Sequence, residues 1–298
     1  MPEDSVPELV EEPGAPTGSA IVSFGERLVR VFDSVGQLCV GIDPHAYLLG
    51  EWGLPDDARG LRDFGRRVVD AAAGIVGIVK PQVAFFERHG AAGYSALEAV
   101  LSAARDAGLL VIADVKRGDL GTSVEAYGQA WLTPDGPLEV DAMTASAYQG
   151  VGSLAAPLEL AAVTGKGVFV LAATSNPESR VIQTALLADG RSVASSIVGD
   201  VVQWNSARGD GVGSVGLVMG ATARFADYGI DLESLVNTPI LAPGFGHQGA
   251  AYADLRTIYG PAAGMAVVSS SRGVLAAGPS GIAEAIATQA REVLECRE

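Results

Sequence analysis

The sequence predicts a single (β/α)8 TIM barrel of the α/β class, and three observations predict it. Eight short apolar runs recur along the chain, which is the strand number of that fold. The stretches between them carry apolar residues at helical spacing, and alternating strands and helices form a parallel sheet. The alternation spans roughly 260 residues, which fits one closed barrel better than two doubly wound domains.

The predicted strands follow one another in order, each about as long as a buried strand. They are Gln37–Ile42, Gly77–Lys80, Leu109–Lys116, Val140–Ser146, Gly167–Thr174, Val215–Thr222, Pro239–Gly244 and Met265–Ser271. Leu61–Ala73 and Ser95–Ala107 are predicted helices that end at Gly74 and Gly108, as helices often do. The interval Ser175–Ser214 is longer than the others and has room for a lid.

Composition and charge limit the classes of partner and the cellular location that we expect. Residues 1–18, rich in Pro, Glu and Gly, are predicted to form a disordered acidic tail, which leaves 19–298 for the barrel. The net charge of −15 argues against nucleic acids and anionic membranes as partners. No apolar run has the length of a membrane span, and no basic residue precedes Arg27, so no signal peptide is expected. The chain has only two cysteines, so we expect no disulfide framework, and we expect the protein to work in a reducing cytoplasm.

The third predicted strand ends in an unusual group of charges. Asp114 and Lys116 are two residues apart, so on a regular strand they point to the same face, and Asp119 follows on the next loop. A bend there can bring Asp119 back toward Lys116 or out toward a partner subunit. An ordinary ion pair at a strand end would use the same residues, so this segment alone leaves both interpretations open.

The placement of the lysines favours a catalytic role for the charges at strand ends. Only three of the 20 basic residues are lysines. Lys80 and Lys116 end apolar runs, whereas Lys166 is predicted to lie in a solvated turn. An ammonium can give up a proton and a guanidinium effectively cannot, so lysines at two strand ends indicate proton transfer.

In a barrel of this kind the chemistry sits at the carboxyl ends of the strands, and polar residues collect there. They include Asp43, Lys80, Asp114, Lys116, Thr144, Ser146, Ser175 and Thr222. The loops Pro243–Gly249 and Ser269–Gly273 combine glycines with Gln248 and Arg272. Glycine-rich loops after the seventh and eighth strands commonly bind phosphate, so we expect an anion site here.

These residues resemble a known family. Asp114-Val-Lys116-Arg-Gly-Asp119 is similar to the D-x-K-x-x-D signature of orotidine 5′-phosphate decarboxylases, in the form found in the longer bacterial (type 2) subfamily. Further segments follow in the family's order over roughly residues 36–275. They are Gly41–Pro44, Val79–Phe86, Val218–Thr222, Pro243–Gly249 and Ser271–Gly273.

The resemblance implies decarboxylation of orotidine 5′-monophosphate to UMP in pyrimidine biosynthesis, without metal or cofactor. It implies that Lys116 donates a proton within an alternating array formed with Asp114, Lys80 and Asp119. It also implies a homodimer with shared active sites, in which Asp119 and the hydroxyl of Thr122 or Ser123 arrive from the other subunit. The implied substrate contacts are Asp43 and Lys80 to ribose, Ser175 to the pyrimidine, and Gln248 and Arg272 to phosphate.

Two alternatives remain from the sequence. A sugar-phosphate decarboxylase or synthase of the same superfamily would use Mg²⁺ held by a Glu after the second strand, where Lys80 stands here and would repel the metal. A non-catalytic nucleotide-phosphate sensor would need Arg272 and Gln248 but not both lysines.

A zinc site is a further possibility for the histidines. His45 and His247 lie beside predicted strand ends with Asp43 nearby, and His89 is the third histidine. We expect them instead to be loop residues that line or cap the pocket.

We also expect Pro243–Gly249, with the long segment after Ser175, to close over the substrate.

Overall fold

The computed structural model describes residues 21–209, 211–246 and 249–296. The tail predicted for residues 1–18 lies outside them. Within the described residues, no helix is long and apolar enough to cross a membrane.

Eight parallel strands close into a barrel in chain order, which confirms the predicted fold. The strands are β1 (Leu38–Ile42), β2 (Ile78–Pro81), β3 (Leu110–Arg117), β4 (Ala142–Ala145), β5 (Gly167–Ala173), β6 (Val215–Met219), β7 (Ile240–Pro243) and β8 (Ala266–Ser270). Pairing of Leu38 with Val268 and of Val40 with Ser270 joins β1 to β8 and closes the sheet. All eight predicted runs therefore overlap observed strands, and their ends differ by a few residues.

Helices surround the barrel. The α-helices are α1 (Phe24–Val35), α2 (Ala46–Glu51), α3 (Ala58–Ala72), α4 (Ala84–Glu87), α5 (Gly90–Asp106), α6 (Gly121–Leu132), α7 (Ala155–Thr164), α8 (Arg180–Gln183), α9 (Val193–Ser206), α10 (Leu255–Tyr259), α11 (Arg272–Leu275) and α12 (Gly278–Glu295). Short 3-10 helices cover Val151–Leu154, Pro177–Ser179, Phe225–Tyr228, Leu232–Leu235, Tyr252–Asp254 and Gly260–Met265. The connection from β6 to β7 uses two of these 3-10 helices, so the strict strand and helix alternation that we expect from the sequence is relaxed there.

The two predicted helices begin earlier than expected. Helix α3 starts three residues before Leu61 because the Asp57 side chain accepts a hydrogen bond from the Gly60 amide at 2.9 Å and caps the first turn. Helix α5 starts at Gly90, five residues before Ser95, through a first turn of Gly and Ala that carries no apolar periodicity. Their carboxyl ends fall within one residue of the prediction.

The barrel interior is filled from below by helix α1. Phe24, Leu28 and Phe32 are buried in one cluster with inward-facing residues of the strands. Phe24 meets Phe169 of β5 edge to face, with ring centroids 5.8 Å apart. Arg27 pairs with Asp141, just before β4, and donates to the Gly165 carbonyl before β5. Helix α1 therefore closes the amino end of the barrel, and the carboxyl end is left for the site.

The prediction that Lys166 lies in a solvated turn is wrong. The residue is 8% exposed rather than solvated, and its ammonium lies 2.5 Å from the Glu139 carboxylate. Glu139 also accepts from the Asp135 amide at 2.9 Å. The turn containing Lys166 packs against the loop before β4, a partner that local sequence does not reveal.

Candidate active site

A cavity of about 600 Å³ opens at the carboxyl ends of the strands. The structure brings many of the predicted site residues into its wall. They are Asp43 after β1, Lys80 of β2, Asp114 and Lys116 of β3, Ser175 after β5 and Arg272 at the start of α11. Parallel strands end at the same rim, which explains why residues far apart in sequence meet here.

The centre of the site is a row of alternating charges. The Asp114 carboxylate lies 3.1 Å from Lys80 Nζ through Oδ2 and 2.6 Å from Lys116 Nζ through Oδ1. Lys80 and Asp114 are buried, while the Lys116 side chain is 46% exposed toward the cavity. One carboxylate therefore anchors two ammonium groups, and only Lys116 reaches far into the open space.

The protonation states follow from this packing. Burial alone would raise the pKa of Asp114, but the Lys80 and Lys116 ammoniums outweigh it and lower that pKa to about 2. Burial alone would lower the pKa of Lys80, but the carboxylates of Asp114 and Asp43 hold it above its ordinary value. Both groups are ionised at neutral pH.

Lys116 stands in an interrupted part of its strand. Its φ of 49° lies in the left-handed region, which non-glycine residues rarely adopt. The pairing of β3 with β4 shifts register between Ala113 and Arg117. The shared direction of Asp114 and Lys116 is therefore confirmed by their contact, but a bulge rather than regular alternation places Lys116.

Thr144 of β4 fills the gap that the bulge leaves. Its Oγ1 accepts the Lys116 amide hydrogen at 2.9 Å and donates to Asp114 Oδ1 at 2.9 Å. The sequence marks Thr144 only as a polar residue at a strand end. Its role depends on the register shift, for which the sequence carries no signal.

Asp43 is held by a residue that follows the neighbouring strand β8. The hydroxyl of Ser271 donates to Asp43 Oδ2. Asp43 Oδ1 is buried and has no hydrogen-bond partner among the described residues. A side chain at Gly41 would place its Cβ 2.7 Å from Ser271 Cβ, so glycine at this position makes room for the serine. The unpaired oxygen is an acceptor ready for a hydroxyl of a ligand.

The predicted phosphate end is partly described. Arg272 is exposed, lines the cavity beside Gly244 and Gly273, and forms no ion pair with another described residue. Gln248 and His247 lie outside the described residues. Tyr252 Oη and Ser270 Oγ both donate to Gln289 Oε1, at 2.7 and 2.6 Å, so α12 ties the segment after β7 to the end of β8.

Three predicted residues are not brought to the cavity of the same subunit. Asp119 is half-buried on the loop after β3, where its carboxylate accepts from the Leu120 amide at 2.9 Å. Thr122 and Ser123 are exposed in the first turn of α6. The row of charges within one subunit is thus Lys80, Asp114 and Lys116.

The segment after β5 lies beside the cavity mouth. Ser175 and Asn176 line the cavity, and Gly220 of the next strand end leaves room for Ser175, since a Cβ there would lie 2.9 Å from it. Gln183 of α8 accepts from the Thr174 amide at 3.0 Å, which folds the segment back on itself. Val181 is 81% exposed, so this segment presents apolar side chains to solvent.

His45 and His89, the two histidines that the structure describes, do not come together. His45 lines the cavity and packs against Phe85, with ring centroids 4.2 Å apart, whereas His89 lies 3.3 Å from Asp56 on the outer surface. In the described part of the chain, no group of three or more His, Cys, Asp or Glu side chains is arranged to hold a metal ion.

Comparisons with known proteins agree with this geometry. The family model described as "Orotidine 5'-phosphate decarboxylase / HUMPS family" matches residues 36–286. An orotidine 5′-phosphate decarboxylase of Salinispora tropica is 52% identical over 275 residues, covering 92% of this chain and 97% of the relative. The enzyme of that name from Streptomyces coelicolor is 49% identical over 259 residues, covering 86% and 91%.

Solved structures show the same similarity. A crystal structure from Streptomyces avermitilis matches with a TM-score of 0.89 and 45% identity, covering 96% of this chain and 99% of that one. The structure of Leishmania donovani OMP decarboxylase matches with a TM-score of 0.74 and 29% identity, covering 93% and 99%.

Proposed function

This chain belongs to the orotidine 5′-phosphate decarboxylase / HUMPS family, and from that premise we propose how its residues convert orotidine 5′-monophosphate to UMP. The reaction is a step of pyrimidine biosynthesis. The observation that carries the proposal is the row Lys80, Asp114 and Lys116 at the floor of the cavity, with distances of 3.1 and 2.6 Å.

Lys116 is the proton donor in this mechanism. Loss of carbon dioxide from C6 of the pyrimidine leaves an electron pair on carbon with no adjacent group to delocalise it, so fixed positive charge must stabilise it. The Lys116 ammonium supplies that charge and then transfers a proton to C6, which forms the C–H bond of UMP. Asp114 lies beside the substrate carboxylate and disfavours it relative to the more diffuse charge of the transition state.

The remaining wall binds the nucleotide. Asp43, with one carboxylate oxygen still unpaired, and the Lys80 ammonium contact the ribose. Ser175 contacts the pyrimidine and Arg272 binds the phosphate. Gln248 shares the phosphate in this proposal, as the sequence resemblance implies. Arg272 has no carboxylate to neutralise it in the described residues, which suits a dianionic ligand.

The site is completed in a homodimer. Asp119, Thr122 and Ser123 do not line the cavity of their own subunit, so in this proposal Asp119 and one of the two hydroxyls enter the cavity of a partner subunit and extend the row of charges beyond Lys116. The cytoplasm is the compartment proposed for this enzyme, because both Cys39 and Cys296 are free thiols.

A Mg²⁺-dependent reaction on a sugar phosphate is the weaker alternative. The position after β2 that would supply a carboxylate ligand holds Lys80, whose ammonium lies 3.1 Å from Asp114. A cation there repels a metal and occupies the carboxylate that would bind it.

Turnover tests the proposal directly. The absorbance of orotidine 5′-monophosphate should fall when purified protein is added, and EDTA should leave the rate unchanged. Lys116→Ala should lower kcat by at least about 100-fold, the lower end of what a positioned acid contributes. Lys116→Arg keeps the charge but cannot donate a proton, so it should be equally impaired.

Three results would contradict the proposal. Near-normal kcat in Lys116→Arg would show that charge alone is needed. Loss of turnover in EDTA with recovery in Mg²⁺ would favour the metal-dependent alternative. Nucleotide binding without any turnover would favour a sensor.

A further inference from the structure

The side chain of Thr144 connects the two residues that carry the chemistry proposed above. It is fully buried at the end of β4, beneath the cavity floor. Its hydroxyl contacts the backbone of Lys116 and the carboxylate of Asp114, both at 2.9 Å. We propose that Thr144 is a positioning residue that fixes the Lys116 ammonium for proton transfer, an inference that rests on the proposed function.

The direction of the hydrogen bonds is determined by the donors available. The Lys116 amide can only donate, so Thr144 Oγ1 must accept from it. The single hydroxyl proton is then free to go only to Asp114 Oδ1, which must accept as a carboxylate. Thr144 therefore stabilises the ionised form of Asp114, the form that anchors Lys116.

The backbone contact restrains an unfavourable conformation. Lys116 has a φ of 49°, and a non-glycine residue in the left-handed region needs surrounding structure to hold it there. Between Ala113 and Arg117 the ladder with β4 is out of register, and the Thr144 hydroxyl bonds the Lys116 amide within that stretch. Beyond the bulge, the Ser146 amide donates to the Arg117 carbonyl at 2.8 Å and pairing resumes.

Thr144 thereby holds both ends of the lysine. It fixes the backbone at the root of the side chain, and it orients the carboxylate oxygen that the ammonium contacts at 2.6 Å. The four-carbon side chain between these points is half-exposed and flexible on its own. Without Thr144, the ammonium would sample positions away from C6, which lowers the rate of the chemical step more than it lowers substrate affinity.

The test compares three variants of Thr144 with wild type. Thr144→Val keeps the shape and removes both hydrogen bonds, and kcat should fall about 10- to 100-fold, as expected for loss of hydrogen bonds to a charged group. KM and the calorimetric affinity for UMP should stay within about threefold, since the nucleotide contacts remain. Thr144→Ser restores the hydroxyl and should recover most of kcat. Should Thr144→Val not fold, Thr144→Ala carries the same comparison.

Thr238→Val is the matched control. Thr238 is also buried, but it precedes β7 at the amino end of the barrel, far from the cavity. This variant should leave the kcat of the folded enzyme unchanged.

Two outcomes overturn the inference. Thr144→Val with kcat within about twofold of wild type would show that the lysine is placed without the hydroxyl. A fall in kcat that Thr144→Ser fails to restore would show that packing of the methyl group, not hydrogen bonding, matters. An absence of turnover in the wild-type protein would instead refute the proposed function.

Discussion

Lysine placement is the most informative feature of this chain at the scale of single residues. Lys80 and Lys116, singled out because they end apolar runs, both line the cavity and contact one carboxylate. Lys166 shows the limit of the same reasoning, because its burial depends on Glu139, a partner that lies 27 residues away. A strand end is visible in sequence, but a tertiary partner is not.

Two other residue contacts lie beyond sequence analysis for a similar reason. Ser271 meets Asp43 only because the barrel closes β8 against β1, which brings together residues 228 positions apart. Thr144 meets Lys116 only because β3 is bulged. The residue types could be predicted at strand ends, whereas their pairing required the closed sheet.

The ion pair between Lys80 and Asp114 predicts the effect of Asp114→Asn. This change leaves the buried Lys80 without its nearest counter-charge and should lower the free energy of unfolding by about 3–5 kcal/mol. Asp114 has a pKa of about 2 when folded and an ordinary value of 3.8, so the unfolded chain binds more protons between these values. Its stabilising contribution is therefore constant above about pH 5 and is lost as the pH falls toward 2.

Urea unfolding of wild type and Asp114→Asn between pH 3 and pH 8 measures this difference. Asp63→Asn is the control, because the pairs of Asp63 with Arg59 and Arg62 are exposed and longer, at 3.7 and 3.6 Å. It should change stability by less than about 1 kcal/mol. Equal effects of the two substitutions would mean that the buried pair contributes no more than a surface pair.

At the scale of elements, the strands were the most predictable part of the fold. Each apolar run matched a strand because a parallel sheet buried on both faces demands continuous apolar residues. The sequence does not indicate the 3-10 connection between β6 and β7 or the early start of α5, because neither segment carries a helical apolar period. It does not indicate the bulge in β3 either, since nothing local distinguishes that segment from a regular strand.

Gly118 links that bulge to the loop carrying Asp119. A Cβ at this position would lie 2.3 Å from the Ser146 carbonyl oxygen, a contact that the backbone must move to avoid. Gly118→Ala should therefore destabilise the protein by about 1–3 kcal/mol and lower kcat/KM by displacing Asp119. Thermal unfolding and steady-state kinetics measure the two effects.

Gly152→Ala provides the comparison for this variant. Gly152 follows β4 in a 3-10 helix, and a Cβ there would meet nothing within 4 Å. It should leave both Tm and kcat/KM near the wild-type values. If Gly118→Ala behaves in the same way, the close approach to Ser146 does not constrain the loop.

At the scale of the whole molecule, the proposed homodimer with shared sites predicts subunit complementation. Lys116→Ala and Asp119→Ala should each be impaired alone. In a mixed dimer one site combines the intact Lys116 of one subunit with the intact Asp119 of the other. Refolding the two variants together in equal amounts should therefore restore about a quarter of wild-type activity.

A second mixture controls for this recovery. Asp114 and Lys116 line the same cavity of one subunit, so Asp114→Asn mixed with Lys116→Ala yields no intact site. That mixture should stay at the level of the single variants. Absence of recovery in the first mixture would place Asp119 in its own subunit's site or outside the site.

Helix α1 closes the barrel beneath the site of the reaction. Its side chains Phe24, Leu28 and Phe32 fill the amino end of the barrel, so the cavity floor at Asp114 has packed protein beneath it. In the proposed orientation, carbon dioxide is released at that floor while the nucleotide still lies above it. In that orientation carbon dioxide forms beside the carbanion, so recombination competes with protonation. In the proposed mechanism, proton transfer from Lys116 therefore decides whether each turnover ends in product, and a slower donor would allow carbon dioxide to recombine with the carbanion and regenerate substrate.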